Sequence, residues 1–132
     1  MSASLFSRRD GPTGFTLIEL LVVMSIIALL LTIAVPYYFN SVRHSREAVL
    51  HEDLALMRDA LDKRYGDTGR YPDALQDLVS RHYLRSIPVD PITGSATTWV
   101  VVPPEDPDQG GVYDVKSGAP GQGSNGQPYT DW

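Results

Sequence analysis

The chain has 132 residues, no cysteine and a formal net charge of −5, from 11 Lys+Arg against 16 Asp+Glu. That length holds one small domain and a membrane element, not a multidomain enzyme, and without cysteine neither disulfides nor thiol chemistry is available. The acidic balance argues against a nucleic-acid partner, whose phosphates would be repelled.

The first 14 residues are polar, and Arg8, Arg9 and Asp10 are their only charges. Residues 20–39 then carry no charge at all, with Ser25, Thr32 and Pro36 as the interruptions. A helix needs roughly 20 apolar residues to cross the hydrocarbon core, so this run predicts a single membrane span. The preceding arginines place its N-terminus in the cytoplasm and everything after Pro36 outside. Glu19 stands one residue before the uncharged run, inside the apolar stretch that begins at Phe15. A carboxylate there is costly and by default points to a function.

Three readings of this N-terminus compete. A secretory signal fits poorly, because the apolar segment is too long and residues 32–36 offer no A-x-A-like cleavage site. The paired arginines are followed by nothing else of a twin-arginine signal. An uncleaved anchor is compatible with the composition, and in an isolated anchor Glu19 would snorkel to the lipid interface.

Residues 14–36, GFTLIELLVVMSIIALLLTIAVP, resemble the N-terminus of the type IV pilin and type II secretion pseudopilin superfamily. The resemblance implies a leader, residues 1–14, removed by a membrane aspartyl prepilin peptidase between Gly14 and Phe15, with N-methylation of the new Phe15 amine. Glu19 and Pro36 fall at the fifth and twenty-second mature positions, as in that family, and are implied in filament assembly. The physics is compatible. In a filament, the Glu19 carboxylate of one subunit can meet the Phe15 amine of its neighbour, and leaving it unpaired there would be expensive. Only one axial register pairs the charges.

Further along, Pro36 should kink or loosen the helix without necessarily ending it. Tyr37 and Tyr38 suit either a membrane–water interface or subunit packing. Leu50, Leu54, Met57 and Leu61, with Tyr65 continuing the row, recur at helical spacing and predict an amphipathic face. Arg46, Glu47, Glu52, Asp53, Arg58, Asp59, Asp62 and Lys63 are assigned to the solvated sides. Gly66 and Gly69 end the pattern, Gly66 being well placed as the cap. One long helix over 15–65 is therefore expected, its 15–38 part spanning the membrane, followed by a small domain over 66–132.

His44 and His51 are seven apart, unlike the three- or four-residue spacing of helical metal ligands, and His82 reads as exposed. Pro72 and Asp73 suit a helix start, with Leu75, Leu78 and Val79 as a short apolar face. Residues 86–94, with Pro88 and Pro91, must be extended and turning. Residues 97–102 are the best strand, and residues 112–116 a second, pairing with it as an antiparallel hairpin across an acidic loop. Strict alternation makes Tyr113 and Val115 the inner face of that second strand, unless it bulges or twists. The fold class is α+β.

The series Tyr71-Pro72, Leu75, Leu78, Tyr83-Leu84, Ile87-Pro88, Asp90-Pro91 and Gly94 resembles the soluble domain of the G-type, major pseudopilins of type II secretion. So does Gly111-Val112-Tyr113-Asp114-Val115 ahead of a Gly-rich tail with a terminal tryptophan. Residues 117–128 are too rich in Gly, Pro and amides for strand or helix. By the resemblance this loop is ordered by calcium in G-type pseudopilins, but no acid stands between Lys116 and Thr130 here. Asp114, Ser117, Asn125 and Asp131 are the candidate calcium ligands, a set poor in carboxylates, so the expectation is a loop tied down by turns and by Tyr129 and Trp132, with no cofactor.

The function implied is a structural subunit of a periplasmic type II secretion pseudopilus, anchored in the bacterial inner membrane before assembly. Its implied partners are further copies of itself, the prepilin peptidase, minor pseudopilins and an inner-membrane platform with a cytoplasmic ATPase. The chain itself has no G-x-x-x-x-G-K-[ST] motif. A type IV pilin for adhesion, motility or DNA uptake is the alternative, although adhesive pilins usually close their C-terminal region with a disulfide. A membrane-anchored enzyme or binding module using residues 103–111 as a ligand loop has no nucleophile–base pair or metal spacing behind it.

Overall fold

In the computed structural model, residues 14–132 are described, and they divide into two compact units, 14–40 and Ser41–Trp132. Helix α1, Leu17–Thr68, belongs to both. Its apolar part in the first unit is exposed at every position, as a helix with no protein around it must be. Ser25 and Thr32 are satisfied within the helix, donating to the carbonyls of Leu21 (2.7 Å) and Leu29 (2.6 Å). Side-chain hydroxyls satisfied inside the helix in this way are compatible with lipid. Pro36 lies inside α1 and does not end it.

Within the second unit, Leu50, Leu54, Met57 and Leu61 are each at most 1 % exposed and form one wall of the core. The expected continuation at Tyr65 is different: Tyr65 stays exposed and stacks on Tyr71, ring centroids 4.6 Å apart. The helix also runs past Gly66. Gly69 is the residue that turns, at φ 73°, and its N–H reaches the Tyr65 carbonyl at 2.7 Å. A left-handed residue with that hydrogen bond is what closes a helix, so Gly69 and not Gly66 caps it.

Helix α2, Leu75–Ser80, packs Leu78 into the core, with Leu75 and Val79 against its margin. Its start is secured by Asp77, whose carboxylate accepts the Ala74 N–H. The segment that follows turns about Asp90, a fully buried carboxylate. Asp90 Oδ1 accepts the Ile92 N–H at 2.8 Å, and Oδ2 accepts the Ser117 hydroxyl at 2.6 Å.

Strands β1, Trp99–Val102, and β2, Asp114–Ser117, pair antiparallel, with Trp99 opposite Ser117 and Val102 opposite Asp114. The expected hairpin is therefore present, but both strands start two residues late. Thr97 and Thr98 are drawn into the preceding turn by hydroxyl contacts to Ser95 and Thr93, which compete with the ladder. In the second strand the expected inner face holds for Val115, which is buried, but not for Tyr113, which is 54 % exposed while Val112 is buried instead. The cause lies outside the hairpin. Gly111 and Val112 donate their N–H groups to the Pro72 carbonyl at 3.0 and 2.9 Å, so Val112 precedes β2 and escapes its alternation. Ser117, assigned to the tail by sequence, is the last residue of β2. Gly118 follows because the chain passes so close to the Thr98 carbonyl that any Cβ would collide with it.

Candidate functional site

The stretch 14–19 of the first unit is local chemistry first. Thr16 immediately precedes α1, and its Oγ1 accepts the Glu19 N–H at 3.1 Å. Glu19 reaches back to the Thr16 N–H at 3.4 Å. This reciprocal pair is a capping box, in which two of the unpaired N–H groups at a helix start are satisfied at once. Glu19 therefore also serves the helix start, a role the sequence reading missed although T-x-x-E spacing signals it. The carboxylate sits in the first turn, where the helix dipole favours negative charge, and is itself exposed. Gly14 and Phe15 are exposed just ahead of it, and nothing packs on Gly14. The remainder of the expected leader lies outside the described residues.

A second site holds the C-terminal loop. Glu47, expected on a solvated side of α1, is only 4 % exposed. Its Oε1 accepts the Ser124 N–H at 2.8 Å and the Tyr129 hydroxyl at 3.0 Å, and its Oε2 accepts the Ser124 hydroxyl. Arg43 lies one turn back, with Nε 3.3 Å from Oε1, and spends another N–H on the Gln122 carbonyl at 2.8 Å. Burial opposes the charged form of Glu47, but the Ser124 and Tyr129 hydrogen bonds and the Arg43 charge outweigh it and hold the carboxyl below its usual range. A signal for Glu47 was present: extending the row 61, 57, 54, 50 by one more step lands on position 47.

Arg58, also expected to be solvated, is the other anchor. Its Nε donates to Asp114 Oδ1 at 2.8 Å, and its terminal nitrogen donates to the main-chain oxygens of Val115 (3.1 Å) and Trp132 (2.7 Å). Between the two anchors, the Trp132 ring stacks on His51 at 4.5 Å and closes over Gly123. Tyr129 is 5 % exposed. The expected docking of Tyr129 and Trp132 is what the structure shows, and the histidine that receives the indole had no assigned role.

The four oxygen-bearing residues considered for calcium are not brought together as a donor set. Asp114 Oδ1 is shared between Arg58 and the Val115 N–H. Ser117 is buried and bonded to Asp90, Asn125 Oδ1 accepts the Gln127 N–H, and Asp131 is exposed. Among the described residues no group of three or more His, Asp or Glu is placed to hold a metal ion. A calcium site wants six to eight oxygens including free carboxylates, and these residues do not fit that requirement. His82 is exposed, as expected.

The prokaryotic N-terminal methylation motif matches residues 12–35, the stretch that contains the Thr16–Glu19 capping box. This defines the class, a prepilin-type subunit. The chain is also 31 % identical to type II secretion system core protein G of Klebsiella michiganensis over 94 % of its own length and 92 % of the relative's. It is 27 % identical to the protein of the same name from Escherichia coli K12, over 93 % and 92 % of the two chains. No solved structure matches. The chain belongs to the type II secretion system core protein G family, the major pseudopilins, and the adhesive-pilin alternative is not favoured.

Proposed function

We propose that this pseudopilin is made as a single-pass inner-membrane precursor, cut between Gly14 and Phe15 by a prepilin peptidase and N-methylated at Phe15. It then polymerises through the apolar part of α1 into a periplasmic pseudopilus that moves folded proteins across the outer membrane. The observation that carries this reading is the methylation motif at residues 12–35, heading a helix with no charge over residues 20–39. Glu19 pairs with the Phe15 amine of a neighbouring copy and sets the register. Pro36 supplies the break that lets the helix adapt, because its nitrogen cannot donate to the Thr32 carbonyl. Minor pseudopilins and an inner-membrane platform complete the assembly, and a cytoplasmic ATPase supplies the energy, since the chain has no phosphate-binding loop of its own.

The test is co-expression with and without an active prepilin peptidase, followed by mass spectrometry of the N-terminus. Methylated Phe15 is expected with the peptidase. A chain that keeps Met1 in its presence overturns the proposal.

A further inference from the structure

The loop after β2 has no regular structure of its own beyond an isolated bridge between Gln122 and Pro128 and the short turn Tyr129–Asp131. Such a loop orders only if other groups collect its polar atoms, since fixing each residue costs roughly 1–2 kcal/mol of backbone entropy. A bound cation would do this by gathering oxygens. In this chain both halves of that task are already performed by side chains of α1.

The oxygens are gathered by guanidinium groups: Arg43 takes the Gln122 carbonyl, and Arg58 takes those of Val115 and Trp132. The N–H and O–H groups of the loop are gathered by an anion, Glu47, which receives both donors of Ser124 and the Tyr129 hydroxyl. Neither Glu47 oxygen is uncommitted. Asp114, the acid ahead of the loop, has the Arg58 guanidinium at 2.8 Å, so a divalent cation approaching it would meet a fixed positive charge, and Asp131, the acid near the end of the segment, is exposed. No acid lies between Lys116 and Thr130.

We infer that the C-terminal loop is closed by an internal clamp, Glu47 and Arg43 on one side and Arg58 on the other, in place of a bound calcium ion. This subunit therefore reaches its ordered form in the absence of calcium. Glu47 is the centre of the clamp, because it is the only one of the three whose side chain is buried and because it alone accepts the N–H and O–H groups of the loop. Truncating it strands the Ser124 and Tyr129 groups together. The inference stands whether or not the chain forms a secretion filament, since it concerns the order of a single subunit.

Amide hydrogen exchange of the full chain in detergent, read over residues 118–132, tests it. Protection is expected to be equal in millimolar calcium and in EGTA. Glu47→Ala is expected to speed exchange in that segment by about tenfold or more in both media, the size of losing the hydrogen bonds of one buried charge. Ser124→Ala removes one of the two Ser124 donors, the hydroxyl, keeps the N–H, and should act in the same direction with smaller size, which keeps the test decisive if Glu47→Ala disturbs the core. Loss of wild-type protection in EGTA with recovery on adding calcium overturns the clamp, as does unchanged exchange in Ser124→Ala and Glu47→Ala together.

Discussion

The Tyr129 hydroxyl donates to Glu47 Oε1 at 3.0 Å, joining the end of the chain to α1 across 82 residues of sequence. Both groups are buried, and the carboxylate is held ionised below its usual range. A buried anion that keeps its charge makes stability depend on pH in a definite direction.

Because folding lowers the Glu47 pKa, its contribution is complete above the unfolded value of about 4.3 and is lost as pH falls through the lower folded value. The groups facing it are Arg43 and His44 from α1 and Ser124 and Tyr129 from the loop. Other carboxylates titrate in the same range, so the informative quantity is a difference between proteins. Thermal melts of wild type and Glu47→Gln should be well separated at pH 7 and converge as pH falls below about 4. Parallel curves through the acid range would show that the charge of Glu47 is not what holds the loop.

Asp90 makes a similar argument without the helix. It is fully buried, caps the turn at Ile92 and receives the Ser117 hydroxyl, which in turn accepts the Ala119 N–H. Asp90→Ala leaves several of these groups unpaired in a dry place and should cost about 2–4 kcal/mol in denaturant unfolding. Asp90→Asn keeps one acceptor oxygen for the turn and should cost clearly less. Equal losses would mean that the cavity and not the hydrogen bonds sets the penalty.

These two carboxylates mark the boundary of what could be read from the chain. The wall Leu50, Leu54, Met57 and Leu61 was legible because a helix repeats every 3.6 residues and all four positions obey that period. β1 was legible from its β-branched run, and the long apolar helix from its length without charge. Val112 was not, because its burial is decided by the Pro72 carbonyl some 40 positions earlier and not by any local pattern. The Thr16–Glu19 capping box was written in local spacing and was read only as a functional motif. Glu47 was half legible: its register lay on the apolar row, whereas its partners at Ser124 and Tyr129 are set by the path of a loop that has no periodicity.

The core wall itself gives a simple contrast. Leu78 of α2 is fully buried in the core cluster that includes Leu50, Leu54, Met57 and Leu61, while Val100 is 48 % exposed on β1. Leu78→Ala should destabilise the domain by about 2–5 kcal/mol, the range for emptying a buried leucine site. Val100→Ala should stay within about 0.5 kcal/mol, as exposed positions generally do. Chemical denaturation of the full chain in detergent measures both. A small loss for Leu78→Ala would mean that α2 is not part of the cooperative unit.

The two uses of Glu19 can be separated by a pair of substitutions. Its carboxylate accepts the Thr16 N–H in the capping box, and the proposed filament contact needs its negative charge. Glutamine serves the box nearly as well as glutamate, because the box requires an acceptor and not a charge. Alanine removes both. If charge pairing sets the filament register, Glu19→Gln and Glu19→Ala should both insert and be processed normally, yet yield filaments reduced by about tenfold or more, as loss of a buried ionic contact implies. Thr16→Ala, which weakens the helix start by about 0.5–2 kcal/mol but leaves the carboxylate, should assemble far better than either. If Glu19→Gln assembles like wild type while Thr16→Ala and Glu19→Ala fail together, the residue acts through the cap alone and the pairing with Phe15 is wrong. Counting filaments by electron microscopy, with processed subunit measured in the same membranes, distinguishes the two outcomes.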